Sequence, residues 1–225
     1  KIIEDLRKLI EFHAPVKIID PKEQSQEETR KKYAELFWNA QNRKGYTMYD
    51  AQRLMRERNY FASMMITNGD ADAMISGYSR NYRSVVKPIL ETTAKAKGVS
   101  RVAATNLMLT KSGPLFLSDT TINVEPSAKE LAKIAQMSGQ MARIFGLEPV
   151  VAMLSFSNFG SSSFPQAQKV TKAVSILHRS NPDLVVDGPI QSDFALNKEL
   201  LQNGFPFSGL SNKKVNVLVF PNLDA

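Results

Sequence analysis

From residue 101 to residue 220, short apolar runs alternate with longer stretches of helical period, and this alternation limits the available folds more than any other feature. Val150–Leu154, Leu184–Val186 and Val215–Phe220 are too short for helices and are bounded by Pro, Gly or Ser. Strands buried on both faces read this way. Between them lie two amphipathic stretches. Ser127 and Glu130 stand at capping-box spacing and open a helix carrying Leu131, Ile134, Ala135, Ser138, Met141 and Ala142 on one face, closed by Gly146. Gln166–Ser180 carries Val170, Val174 and Leu177. Ahead of both, Arg101–Leu109 and Pro114–Ser118 flank the turn triplet Lys111-Ser112-Gly113 and predict a hairpin, followed by a polar loop from Asp119 to Pro126. Strand and helix in succession require crossovers, so the class is α/β with a mostly parallel sheet.

Residues 1–97 are less regular. Ile3, Leu6, Leu9 and Ile10 share a helical face that ends before Pro15, and Val16–Ile19 reads as a short strand. The polar stretch from Lys22 to Arg30 opens a helix with Tyr33, Leu36 and Phe37 inward. Arg43-Lys44-Gly45 is a basic turn. Thr47 and Asp50 sit at N-cap and N3 of a helix with Ala51, Leu54 and Met55 inward. Tyr60–Ile66 leads helically into Gly69. A further helix runs over Val85–Ala96, with Pro88 tolerable only in its first turn, and Gly98 stops it. The lobe boundary is placed there: residues 1–97 as a first α/β lobe, 98–225 as a second.

Two turns can hold an anion. In Gly69–Pro88, Ala71, Ala73, Met74 and Ile75 form an apolar run that suits a buried strand, and Gly77 can take a positive φ where it ends. Ser79, Arg80, Asn81, Tyr82 and Arg83 then cluster where a helix begins. A helix N-terminus offers free N–H groups and a positive dipole end, and arginines beside it favour phosphate. A solvated turn whose arginines keep the surface soluble satisfies the same pattern. The second turn, Ser155 to Ser163, presents Ser157, Gly160 and Ser161 after a strand. It matches neither the P-loop nor the dinucleotide fingerprint, and a flexible serine-rich surface loop is the alternative. Asp187, after the next strand, either orients a substrate or caps the following helix.

Composition closes several routes. The net charge is +7, from 29 basic and 22 acidic side chains, spread along the chain; it favours an anionic ligand at least as much as nucleic acid, and no nucleic-acid motif accompanies it. Cysteine is absent, which removes disulfides, thiolate metal sites and a Cys nucleophile. His13 and His178 have no partner at ligand spacing, so no metal site is expected. No apolar run approaches the roughly 20 residues of a membrane span. Both ends read as cuts, which makes the chain an internal segment of a longer polypeptide.

Arg43-Lys44-Gly45-Tyr46-Thr47, GDADAMISG from Gly69 to Gly77, LSDTTINVEPSAKELAKIA from Leu117, EPVVAMLSFS from Glu148, DGPIQSD from Asp187 and VLVFPNLDA from Val217 resemble the phosphate acetyl/butyryltransferases, in order and over nearly the whole chain. Ser79-Arg80-Asn81-Tyr82, Arg56-Glu57-Arg58-Asn59-Tyr60-Phe61 and Ser155-Phe156-Ser157-Asn158-Phe159-Gly160 resemble more closely the C-terminal, phosphotransacetylase-like half of large bacterial malic enzymes.

The resemblance implies two α/β lobes of the isocitrate/isopropylmalate dehydrogenase type, a cleft for coenzyme A between them, a dimer and a cytoplasmic setting. The family's catalytic Ser-Arg pair and following Asp lie beyond the VFP strand, so no catalytic residue transfers to this chain. Lys87 stands where the transacetylases carry an arginine. In the malic-enzyme relatives the domain senses acetyl-CoA and reports to a malic half that carries NADP and a divalent metal. The binding residues expected here are Ser76, Gly77, Ser79, Arg80 and Lys87 from the first lobe, with Ser157, Gly160, Ser161 and Asp187 from the second. An active phosphate acetyltransferase and a structural dimerisation domain are the other two readings.

Overall fold

The computed structural model describes residues 2–95, 99 and 101–225. The chain divides into two units, residues 1–96 and residues 97–225. The expected stop at Gly98 lies outside the described residues.

In unit 1 the sequence makes helices α1 (Ile2–Leu9), α2 (Glu27–Gln41), α3 (Met48–Leu54), α4 (Arg58–Asn68) and α5 (Tyr82–Thr92). The capping box forms as its spacing dictates: Thr47 Oγ1 accepts from Asp50 N at 3.1 Å and Asp50 Oδ2 from Thr47 N at 3.1 Å. Tyr33, Ala34 and Phe37 of α2 pack on Ala51, Met55, Tyr60, Phe61 and Met64 to form one buried cluster. Phe37 meets Tyr46 and Tyr60 edge-on, with ring centroids 5.2 and 5.8 Å apart. Leu36, expected inward, is exposed, because the buried stripe of α2 runs through 33, 34, 37 and 41 and a single step around the helix moves a side chain off it.

The two strands expected in this unit do not form. Residues 16–19 and 71–75 run without regular structure, and Val16, Ile18 and Ile75 are exposed. A strand exists only where a neighbour takes up its N–H and C=O groups, and among the described residues unit 1 supplies none. The helix expected over Val85–Ala96 instead starts at Tyr82 and ends at Thr92. Asn81 caps it, its Oδ1 accepting from Ser84 N at 2.9 Å. Pro88 therefore lies in the helix interior, not in its first turn.

Unit 2 carries the alternation expected of it: β1 (Thr105–Thr110), β2 (Gly113–Ser118), α6 (Ala128–Ile144), β3 (Val150–Leu154), α7 (Pro165–Ser180), β4 (Val185–Ile190), α8 (Ser192–Leu196), α9 (Lys198–Gly204) and β5 (Val217–Val219). One sheet results, ordered β1-β2-β5-β3-β4. The β1–β2 hairpin is antiparallel, and every other pairing is parallel. Both faces are covered. Val151, Met153, Val217 and Val219 face the cluster formed with α6 and α7, while Val150, Ala152, Leu154 and Leu218 face the cluster with Ala195 and Leu201. The Ser127–Glu130 capping box forms as predicted, but Met141 is exposed at the edge of the α6 stripe. The Asp187-Gly188-Pro189 segment lies inside β4, not after it.

The expected polar loop after β2 hides a buried carboxylate. Asp119 is 2% exposed and accepts hydrogen bonds from the backbone N–H groups of Ala104, Thr121, Ile122 and Asn123 and from the Asn123 side chain. That one side chain shapes the end of the hairpin.

Candidate functional site

Between α4 and α5 the chain is extended and largely exposed until Gly77 (φ 130) turns it. The Arg80 N–H donates to the Gly77 carbonyl at 3.3 Å, and Asn81 then caps α5. Ser79 and Arg80 thus sit at the N-terminus of an 11-residue helix, where the first N–H groups lack intrahelical partners. Asn59, in the first turn of α4, holds both sides of this turn. Its Oδ1 accepts from Ser76 Oγ at 2.8 Å and its Nδ2 donates to the Ser84 carbonyl at 3.0 Å.

A cavity of about 450 Å³ opens here, within unit 1. Ser76, Gly77, Ser79, Arg80 and Lys87 all line it, so all five first-lobe candidates come together. Arg58, Asn59 and Ser84 join them, over an apolar floor of Leu54, Ala62, Met74 and Pro88. Its volume is that of a small-molecule pocket. Of the lining residues Arg58, Arg80 and Lys87 are cationic and Glu57 alone is acidic. Arg58 and Arg80 have no ion-pair partner among the described residues, which leaves their guanidinium groups available to an anion.

Lys87 is held differently. Its Nζ lies 3.7 Å from Glu91 Oε1 one turn on, and Glu91 also accepts from Tyr46 at 2.8 Å and from Tyr60. Burial, then the hydrogen bond to Glu91, pushes the ionisation of both tyrosines above its ordinary value. Burial and Asp70 do the same to Tyr33. A phenol harder to ionise folded than unfolded contributes stability that is complete below about pH 10 and is lost as pH rises beyond it. Titration by tyrosinate absorbance should therefore show Tyr33, Tyr46 and Tyr60 ionising only with unfolding. Tyr60→Phe should flatten the alkaline limb of the stability curve. Ionisation of all tyrosines in a still-folded chain would contradict this.

The second-lobe candidates fall into two kinds. Gly160 (φ 88) and Ser161 are exposed at the tip of the serine loop, where Ser161 Oγ accepts from Asn158 N at 3.1 Å. Ser157 is buried against Ser155, their hydroxyls 3.3 Å apart. Asp187 is engaged internally: Oδ2 accepts from Ser208 Oγ at 2.8 Å and Gly209 N at 3.1 Å, and Oδ1 from Gly188 N at 2.9 Å. It ties β4 to the 205–209 turn and does not cap α8, whose N-cap is Gln191.

Arg58, Asn59 and Ser84 join the site without being among the residues expected there. One signal pointed toward them. A proline inside a helix leaves the carbonyl four residues earlier without its donor, so Ser84 had to find one elsewhere. Among the described residues no group of three or more His, Cys, Asp or Glu side chains could hold a metal ion, and no helix is long and apolar enough to cross a membrane.

The profile of the family described as phosphate acetyl/butaryl transferase matches residues 3–225. The chain belongs to this family. It is 36% identical to the NADP-dependent malic enzyme of Escherichia coli over 87% of the chain and 26% of that protein. It is 34% identical to the phosphate acetyltransferase of Synechocystis over 93% of the chain and 29% of that protein. The chain thus spans less than a third of the length of either relative. Among solved structures, a phosphotransacetylase from Streptococcus pyogenes superposes with a TM-score of 0.81 at 32% identity, covering 99% of this chain and 67% of that one. The mixed α/β fold with one mostly parallel sheet is therefore that of a phosphotransacetylase.

Proposed function

We propose that this chain is the phosphotransacetylase-like part of an NADP-dependent malic enzyme, and that it binds acetyl-CoA as a regulatory ligand through the cavity of unit 1. The observation that carries the proposal is the cavity itself. It sets two guanidinium groups without an ion-pair partner among the described residues, a lysine and the Ser79 hydroxyl around a helix N-terminus, a donor set suited to the phosphates of coenzyme A. The acyl-CoA then biases the malic half of the longer chain, which oxidises and decarboxylates malate with NADP and a divalent metal. A homodimer transmits a coupling of typically about 1–3 kcal/mol.

Calorimetric titration with acetyl-CoA, with coenzyme A and acetyl phosphate as comparisons, tests this. Arg80→Ala should weaken acetyl-CoA binding by about ten- to a hundredfold, the loss of a charge-assisted contact. Unchanged affinity in that variant would remove the site assignment.

The similarity to phosphate acetyltransferases over nearly the whole chain supports a second reading, an active acyltransferase. Conversion of acetyl phosphate and coenzyme A to acetyl-CoA and phosphate by the full-length protein would select it over the sensor.

A further inference from the structure

We propose that Asn59 is the positioning residue of the anion cavity, the group that fixes the Gly77–Arg80 turn in its ligand-ready shape. This rests on the reading that the cavity takes the phosphates of an acyl-CoA. Pro88 creates the need for such a residue. In a regular helix the Ser84 carbonyl would accept from the N–H of residue 88, and proline has none. That carbonyl is a vacant acceptor built into the first turn of α5. Asn59 Nδ2 fills it at 3.0 Å from a different helix. The opposite end of the same amide, Oδ1, accepts from Ser76 Oγ at 2.8 Å.

The two contacts bracket the turn. Ser76 immediately precedes Gly77, and Ser84 lies in the first turn of α5, so one planar side chain holds both flanks of the segment carrying Ser79 and Arg80. The amide suits this task because it donates at one end and accepts at the other. An aspartate would accept from Ser76 but could not donate to Ser84, and would add a negative charge to a site for anions. The Gly77 turn needs such a brace, since a glycine at φ 130 gives no conformational restraint of its own. Without Asn59 the turn samples many shapes, and a ligand must order it on binding.

Acetyl-CoA affinity, measured by calorimetry for Asn59→Ala, Ser76→Ala and the double variant, tests this. Each single change should weaken binding by about tenfold, the scale of one ordered hydrogen bond. The double variant should lose little more than either single one, because both cut the same bracket. Amide hydrogen exchange in residues 77–80 should rise in Asn59→Ala without ligand, a change that a purely global loss of stability would not confine to the turn. Ser76→Ala alters an exposed side chain, so it reports even if Asn59→Ala folds poorly. Full affinity in Ser76→Ala, or additive losses in the double variant, would overturn the proposal. Arg80→Ala separates the two levels. If Arg80→Ala loses binding while the Asn59 and Ser76 variants keep it, the site stands and the bracket falls; if Arg80→Ala keeps binding, both fall.

Discussion

Gly188→Ala is expected to destabilise unit 2 by about 3 kcal/mol or more, a large share of the stability of a single domain. Gly188 lies in β4 with φ 148, a backbone conformation that L side chains rarely adopt. A Cβ there would also stand 2.4 Å from the Met153 carbonyl oxygen and 3.0 Å from Met153 Cβ in the adjacent strand β3. Backbone on backbone has no flexible end to yield, and β3 is held between β5 and β4 with every residue buried. Gly160→Ala is the control. Its φ of 88 is similarly unfavourable to alanine, but nothing lies within 4 Å of the added methyl, so the loss should be about 1 kcal/mol. Guanidinium chloride unfolding followed by far-ultraviolet circular dichroism measures both. Equal losses would mean that the contact with Met153 relaxes.

Asp119→Ala should cost about 3–5 kcal/mol. The substitution leaves the N–H groups of Ala104, Ile122 and Asn123 without the acceptor they now share, in a site where Asp119 and Asn123 are 2% and 5% exposed. Each buried donor left unmade costs about 1–3 kcal/mol, offset where water reaches it. Asp119→Asn keeps the shape and one acceptor oxygen and should lose roughly half as much. The effect extends past the loop. Asn123 Oδ1 accepts from Arg101 at 2.7 Å, and Arg101 pairs with Glu130 of the α6 capping box, so the carboxylate anchors the join between hairpin and helix. The same unfolding series detects this, and a loss below 1 kcal/mol would show that water replaces the carboxylate without penalty.

The contrast between the two units shows what the sequence could reveal. In unit 2, Val150–Leu154 is buried at every position, and the capping box at Ser127 starts its helix where the spacing said. Those signals are local, and the fold agrees with them. In unit 1 the run from Ala71 to Ile75 has the composition of a strand, but strand formation depends on a hydrogen-bonded neighbour that composition cannot report. The site divides in the same way. The turn at Gly77 is a property of its own segment and is readable there, whereas the cap at Asn81 starts α5 three residues before the expected Val85. Asn59 contributes through a contact with Ser84, 25 residues away, and only the vacancy left by Pro88 hinted that such a partner was required. The partners of Asp187 are hidden for a related reason: Ser208 and Gly209, 21 and 22 residues further on, donate to its Oδ2, and Gln191 takes the N-cap of α8. A carboxylate's spare capacity is a tertiary property.

The central claim is that unit 1 carries the acyl-CoA phosphates at the turn before α5. Amide hydrogen exchange of the chain with and without saturating acetyl-CoA tests it most directly, because it reports where the ligand lies and needs no mutation. The account predicts slowed exchange concentrated in residues 76–84 and in the first turn of α4 around Asn59. Protection confined to the serine loop, residues 155–163, or absent throughout, would contradict it.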